Sequence, residues 1–336
     1  MSVFRVAFSP DFPRAASGEL RFDFGFGILD GVPDLELGVL PGEPARELTA
    51  EQLAGVDALL LWGARLTEEA LAGADRLRLV ARIGVGYDNV DVDACTRKGI
   101  AVTITPDGVR RPMAASTMLL VLALAHRLLR KDQIARSGQW SESWNNLGMG
   151  LTGRTLGLVG AGNIARDVFR LAKPFEMRQI AFDPYVTAEV AAAEGFELVD
   201  LETLMTSSDF VCILCLLNDE TRHMINAERL ALMKPTAYLV SMARGPIVDE
   251  AALVAALRER RIAGAGLDVF EQEPADPANP LFELDNVITT PHSLCHTDEC
   301  FRLMGKSACE SVIAIKEGRT PSYVVNPAAL QQPLRA

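Results

Sequence analysis

Short apolar runs alternate along this chain with stretches in which apolar residues return every three or four positions. Residues 5–8, 35–40, 58–62, 77–82 and 100–104 are runs of the first kind and read as strands. Helical patterns lie between several of them: Thr49 before Glu51-Gln52-Leu53, Thr67 before Glu68-Glu69-Ala70-Leu71, and Asp91 before 92–98, closed by Gly99. A Thr or Asp ahead of each is suited to accept a bond from the first N–H groups, which have no carbonyl partner of their own. This alternation predicts a parallel sheet covered by helices. The Gly- and Pro-rich stretch 10–44 has no clear period and reads as loop.

Thr105-Pro106-Asp107-Gly108 interrupts the pattern ahead of a long helix over 113–136, whose apolar face runs through Met118, Leu119, Leu122 and Ala125. This helix reads as the crossover into a second domain, with His126 a structural residue among its leucines. A polar, glycine-rich connection over 138–153 follows, and βα alternation resumes. Strands are expected at 197–199, 210–217, 237–245, 264–269 and 287–290, and helices at 189–194, 201–205 and 250–260. A final helix over 298–318 places Cys300, Met304, Ala308, Val312 and Ile315 on one face. It is expected to return to the first domain, where Tyr323-Val324-Val325 would pack.

The second domain opens on Leu156-Gly157-Leu158-Val159-Gly160-Ala161-Gly162-Asn163-Ile164-Ala165. Apolar Leu156, Leu158 and Val159 predict a buried strand, Gly160 and Gly162 a tight turn, and Ala165 onward an amphipathic helix. A side chain at Gly162 would block the approach of a pyrophosphate, whose charge the free N–H groups of a helix N-terminus can meet. A second strand over 178–183 ends in Asp183, about twenty residues on, where a dinucleotide fold places the acid that reads the ribose. That carboxylate accepts from both ribose hydroxyls and repels a 2′-phosphate, so the pattern favours NAD over NADP.

Composition narrows the setting. The chain has 336 residues, 49% of them hydrophobic, enough for two domains with ordinary cores. A net charge of −11 argues against nucleic acid or an anionic membrane as partner. The first residues lead straight into a strand pattern, and the longest apolar run, 118–125, falls short of the ~20 residues that span a bilayer. A cytoplasmic location is the expectation. Cys212-Ile213-Leu214-Cys215 matches Cys-x-x-Cys, a spacing used by redox and metal pairs, but it lies within an apolar run. Residues three apart on a strand face opposite ways, so buried reduced thiols and no metal site are expected.

The candidate chemistry lies at strand ends. Gly84-Val85-Gly86 follows the strand over 77–82, where exposed N–H groups could hold a small anion or simply make a turn. Arg244, Asp268 and His292 each come at or just beyond an expected strand end, the crevice side of an open α/β sheet. Arg244, Glu273 and His292 form a coherent set for moving hydride to or from a 2-hydroxy acid. The guanidinium can grip a carboxylate and polarise a carbonyl, the imidazole can carry the proton, and the acid can orient the ring and stabilise its cation.

At this point the chain resembles the D-isomer-specific 2-hydroxyacid dehydrogenases, which include phosphoglycerate, glycerate and D-lactate dehydrogenases. The likeness covers about the last three quarters of the sequence. It rests on Gly84-Val85-Gly86-Tyr87-Asp88-Asn89-Val90-Asp91, Leu151-Thr152-Gly153-Arg154-Thr155-Leu156-Gly157 before the glycine turn, Leu217-Asn218-Asp219-Glu220-Thr221 and Met233-Lys234-Pro235. It continues through Ala243-Arg244-Gly245-Pro246-Ile247-Val248-Asp249-Glu250, Gly266-Leu267-Asp268-Val269-Phe270-Glu271-Gln272-Glu273-Pro274 and Thr290-Pro291-His292. The resemblance implies an α/β protein of two doubly wound parallel-sheet domains, usually a homodimer. A Rossmann NAD domain (108–295) is inserted into a flavodoxin-like substrate domain (1–107 and 296–336), with the active site in the cleft.

Carried over motif by motif, the catalytic residues are Arg244, Glu273 and His292, Glu273 being preferred to Glu271 because it precedes Pro274. Residues touching NAD are Thr105, Gly160, Gly162, Asn163, Ile164, Asp183, Cys215 (by its backbone), Met242, Ala243 and Asp268. Val85 and Gly86 belong to the carboxylate of the small anionic 2-hydroxy or 2-oxo acid, and Arg82, which the resemblance does not supply, is added to them as a substrate residue for its charge. The chain departs from the family at Arg110-Arg111-Pro112-Met113-Ala114-Ala115-Ser116 and at Ser293-Leu294-Cys295-His296 after His292. Arg65, Arg82, Arg110 and Arg111, read as loop or strand-end residues, are either solvated or a basic cluster suited to a dianionic substrate. Two other readings keep the architecture: an NAD(H)-sensing binding protein without turnover, and a dehydrogenase of an inorganic or one-carbon anion.

Overall fold

The computed structural model describes residues 3–42 and 46–331. Its strands are β1 (Phe4–Phe8), β2 (Leu35–Val39), β3 (Ala58–Leu61), β4 (Leu79–Arg82), β5 (Ala101–Thr103), β6 (Thr155–Val159), β7 (Arg178–Phe182), β8 (Glu197–Leu198), β9 (Phe210–Ile213), β10 (Tyr238–Ser241), β11 (Gly264–Leu267) and β12 (Val287–Thr289). Two compact units result, Met1–Pro112 with His296–Ala336, and Met113–Cys295.

The first unit holds a five-stranded sheet in the order β2-β1-β3-β4-β5, the flavodoxin order, with every pairing parallel. β3 is buried along its whole length, which is why it reads as an unbroken apolar run. Thr67 caps the helix Glu68–Leu71 through the Ala70 N–H, and Asp91 caps Val92–Arg97 through the Ala94 N–H. The helix Asp298–Lys316 and the strand-like Val324 belong to this unit: Val325 N–H bonds Val102 O, and Ile104 N–H bonds Tyr323 O.

The second unit holds seven parallel strands in the order β12-β11-β10-β9-β6-β7-β8, the doubly wound dinucleotide order extended by one strand. Alternate residues feed separate cores. Leu158, Cys212 and Val240 pack with Leu120, Leu124 and Phe169, while Val159, Ile213 and Leu239 pack with Leu230, Leu253 and Leu257. This is the expected fold: a dinucleotide-type domain interrupting a flavodoxin-like one.

Several local expectations change. The long helix starts at Pro106, not Met113, and ends at Ala125. Proline suits a first helical turn because its missing N–H would be unpaired there anyway. Gly108 lies inside this helix, where an added Cβ would sit 2.4 Å from Met304 N, so the glycine permits close helix packing rather than a break. The division between the units falls within this helix, at 112/113. Arg127, at φ +53, separates it from a second helix, Leu128–Arg136. His126 consequently sits exposed at a helix end instead of among leucines. The helix Pro106–Ala125 is long and apolar enough by composition to cross a membrane, yet 67% of its most apolar window is buried in the protein.

Thr49 does not cap a helix. A three-residue 3₁₀ turn, Glu51–Leu53, follows Ala50, and the Thr49 N–H bonds Gln52 Oε1 at 2.9 Å. Besides the expected β2, the stretch otherwise read as loop carries the 3₁₀ turn Phe26–Leu29, and buries Phe12 and Phe24 beside Phe8, Phe26, Trp62 and Phe301. Its last two positions, 43 and 44, lie outside the described residues. β9 stops at Ile213 rather than running to 217, so Cys215 lies beyond the strand.

Candidate active site

In the seven-stranded unit the expected site residues follow the carboxyl ends of their strands. Gly160 (φ +95) turns the chain after β6, and a Cβ there would lie 2.8 Å from Cys215 N. Only glycine satisfies both the backbone angle and that approach. Gly162 differs. Its φ is −70 and a Cβ would meet nothing within 4 Å, so nothing in the chain's own packing demands glycine. The space is open to an incoming group, directly over the N-terminus of the helix Asn163–Ala172, whose N-cap supplies no side-chain bond. Asn163 is exposed and Ile164 half-buried at this mouth, while buried Ala165 lets the helix lie against the sheet.

Asp183, next after β7, is tied to the same turn. Its Oδ2 accepts from the Ala161 N–H at 2.8 Å and its Oδ1 from the Tyr185 N–H at 2.9 Å, which fixes a carboxylate beside the glycines. An open glycine turn, an uncapped helix start and an anchored acid together fit a dinucleotide. Met242 is buried and Ala243 half-buried just beyond β10. Burial, with Asp183's charge adding to it, pushes the Cys215 thiol up to about 12, and burial also raises Cys212. Cys215 packs against the core cluster on the sheet face opposite Cys212, so the two thiols do not form a pair.

Arg244 leads into the 3₁₀ turn Gly245–Ile247 three residues past β10, with an Nη1 bond to Ala243 O at 2.9 Å. His292 lies three residues past β12 at φ +50. Its Nδ1 is 2.7 Å from Glu273 Oε2, while Glu273 Oε1 accepts from the Phe270 N–H at 3.0 Å. Burial pushes the Glu273 carboxyl up, but the His292 bond and charge, the Phe270 N–H and the charge of Arg244 outweigh it and hold the group below its usual value. Glu273 is therefore an anion whose two oxygens are both engaged, and Arg244 lies near enough to act on it. The pair borders a cavity of about 620 Å³ lined in part by Phe270, Phe282 and Thr290.

Asp268, 1% exposed, acts on the chain itself. It accepts from the Thr290 hydroxyl at 2.6 Å and from the Ser293 and Leu294 N–H groups at 3.0 and 3.2 Å. These bonds brace the turn that carries His292 on both sides. Thr290 was not singled out from the sequence, and its place in Thr290-Pro291-His292 was the only signal.

In the five-stranded unit, Gly84 (φ +132) follows β4, with its N–H donating to the hydroxyl of buried Thr105 at 2.7 Å and its carbonyl accepting from the Thr105 N–H at 2.9 Å. Thr105 thus shapes the turn that presents half-buried Val85 and Gly86. The Arg82 guanidinium lies against Gly84, occupying the space a Cβ would need, and bonds Ile83 O. The four arginines do not share one loop setting. Arg65 is exposed after β3, whereas Arg110 and Arg111 ride on the helix Pro106–Ala125, Arg110 within electrostatic reach of Tyr323. His296 packs at a tilt against Trp62 and Phe301, at 5.8 and 5.1 Å between ring centres.

Residues 118–293, just over half the chain, match the NAD-binding domain of the D-isomer specific 2-hydroxyacid dehydrogenases. A glyoxylate reductase from Pyrococcus furiosus is 41% identical over 309 residues, covering 90% of this chain and 92% of that protein. A D-lactate dehydrogenase from Aquifex aeolicus, solved with NAD and lactic acid, superposes with a TM-score of 0.83 at 29% identity, covering 96% of this chain and 99% of that one. A glyoxylate reductase from Paecilomyes thermophila gives 0.83 at 27% identity over 97% and 99%.

Proposed function

This chain belongs to the D-isomer specific 2-hydroxyacid dehydrogenases, NAD-binding oxidoreductases that interconvert a 2-hydroxy acid and its 2-oxo acid, and from that premise we propose that it reduces glyoxylate or a comparably short 2-oxo acid. The observation that carries the assignment of residues is the His292–Glu273 bond at 2.7 Å with Arg244 acting on the same carboxylate. Bound NADH supplies the hydride. Arg244 holds the substrate carboxylate and draws charge onto the carbonyl oxygen as hydride arrives at carbon, and its permanent cation suits both tasks. His292 gives the proton that turns this oxygen into a hydroxyl, and takes it back in the reverse direction. Glu273 keeps the ring in one orientation and stabilises its protonated form. Within the five-stranded unit, Arg82, Val85 and Gly86 are assigned to the substrate, the turn after β4 presenting N–H groups suited to a small anion.

The cofactor residues are assigned as Gly160, Gly162, Asn163 and Ile164 at the pyrophosphate, Asp183 at the ribose, and Thr105, Cys215, Met242, Ala243 and Asp268 toward the nicotinamide. Asp183, fixed between two N–H groups, cannot turn away from a 2′-phosphate, which supports NADH over NADPH. A homodimer in the cytoplasm completes the reading. Trp140, Trp144 and Leu147, 72%, 88% and 86% exposed, supply apolar surface that a second copy would cover.

The test is steady-state oxidation of NADH and NADPH with glyoxylate, pyruvate and oxaloacetate. Turnover with glyoxylate and a preference for NADH of at least about tenfold are expected. NADH binding with no turnover on any acid would replace the enzyme by a sensor, and a preference for oxaloacetate that fades with salt would restore the dianionic substrate.

A further inference from the structure

The seven-stranded unit contains a second carboxylate–imidazole pair, built from residues that the proposed chemistry does not use. His223 Nε2 lies 2.5 Å from Glu271 Oε1. The loop that presents His223 is itself ordered: Asn218 Oδ1 accepts from the Glu220 and Thr221 N–H groups, and the Thr221 hydroxyl donates to Leu216 O at 2.7 Å. His223 then takes φ +50, a backbone region that side chains other than Gly, Asn or Asp seldom occupy, and its N–H donates to Pro246 O at 2.8 Å.

Pro246 belongs to the turn that begins at Arg244, and this turn is held from two sides. On one side Ile225 N–H bonds Ile247 O and Asp249 N–H bonds Ile225 O, each at 3.0 Å. On the other, Gly245 lies so close to Phe270 that a Cβ would come within 1.9 Å of its carbonyl carbon and oxygen. Glu271 N–H donates to Glu250 Oε2 at 3.0 Å, and Asn279 Nδ2 holds Glu250 Oε1 at 2.7 Å. The His223–Glu271 bond joins the two sides across the turn, linking the loop before it to the segment that two residues later supplies Glu273.

We propose that His223 and Glu271 are positioning residues: their bond clamps the Arg244 turn between the 223–225 loop and the 270–273 segment, and so sets where the guanidinium meets the substrate carboxylate. A neutral imidazole with its proton on Nε2 and an imidazolium both donate to Glu271, so the clamp is a matter of geometry, not of titration. A displaced arginine loses its grip on the carboxylate while the Gly162 turn and Asp183, held by their own bonds after β6 and β7, keep their hold on the dinucleotide, because misplacement by a fraction of an ångström is felt only where a group must be aimed. This rests on the assignment of Arg244 to the substrate.

The experiment compares His223→Leu, Glu271→Ala and His223→Gln with Arg244→Ala in full-length protein, reading KM for glyoxylate, KM for NADH, kcat and Tm. Loss of the bond in His223→Leu or Glu271→Ala is expected to raise KM for the oxo acid about tenfold with KM for NADH unchanged. His223→Gln, whose amide can donate from nearly the same point, should recover to within about twofold. The double variant His223→Leu with Glu271→Ala should be no worse than either single one. Unchanged KM for glyoxylate in both single variants overturns the clamp, as does a loss shared equally by both KM values and Tm. Should His223→Leu fail to fold, Glu271→Ala removes the same bond from its other partner and reads the same split. If Arg244→Ala retains its turnover and KM, the catalytic assignment fails; if it loses them while the clamp variants do not, only the clamp fails.

Discussion

Two glutamates two residues apart each meet a histidine, and the settings of the pairs differ. His292–Glu273 sits where β12 ends, with Asp268 and Thr290 bracing one partner and the Phe270 N–H and Arg244 acting on the other. His223–Glu271 sits where two loops flank the Arg244 turn, and its remaining bonds go to backbone and to Glu250. A carboxylate–imidazole contact is therefore not by itself a sign of proton transfer. What distinguishes the pairs is whether a cation able to hold substrate acts on the same acid.

The largest expected difference between them is kinetic. Replacing His292 by Asn, whose amide can donate from near the Nδ1 position, keeps a bond to Glu273 but removes the proton carrier, and kcat for NADH oxidation should fall by about 10³. Replacing His223 by Gln should leave kcat within about twofold. Equal losses would abolish the distinction, since both pairs would then act as framework or both as chemistry.

Next in size is a substitution that disturbs both at once. Gly245→Ala places a methyl group against the Phe270 carbonyl, from which both glutamates follow within three residues. Backbone on both sides of the clash leaves little room to adjust, so a loss of about 2–4 kcal/mol is expected by urea unfolding. An unchanged midpoint would mean that the turn and the segment move independently.

The smallest expected effect concerns pH. Glu273 is held below its ordinary value in the folded chain, so it contributes stability in full above the unfolded value of about 4.3 and loses it as pH falls through the folded value. Glu273→Gln lacks this contribution, and its Tm should fall less than wild type between about pH 6 and about pH 3, by a few degrees. Parallel Tm curves would place Glu273 in a setting no different from a surface carboxylate.

The parts of this protein that were easiest to read from sequence are those where local chemistry and global placement coincide. β3 is apolar throughout, and β6 has no polar side chain after Thr155, because both faces are buried, and Gly160 is needed for a backbone angle and a contact at once. Pro106 and Gly108 misled because proline and glycine have two uses: they break helices, and they also start one or let another helix approach. The aromatic cluster of Phe12, Phe24 and Phe26 was hidden for a different reason. Its partners Trp62 and Phe301 come from remote parts of the chain, so no local period marks it.

From residue order alone came the alternation of strands and helices, the glycine turn with its acid twenty positions on, and the three ionisable side chains placed after strands. These depend on periodicity and spacing, which are properties of neighbours along a backbone. Tertiary structure alone decided that Asp268 spends its oxygens on the His292 turn and that His223 reaches across to Glu271. Each of these is a choice among acceptors of the same kind a few ångströms apart, and only the packing of separate loops on a rigid sheet makes that choice.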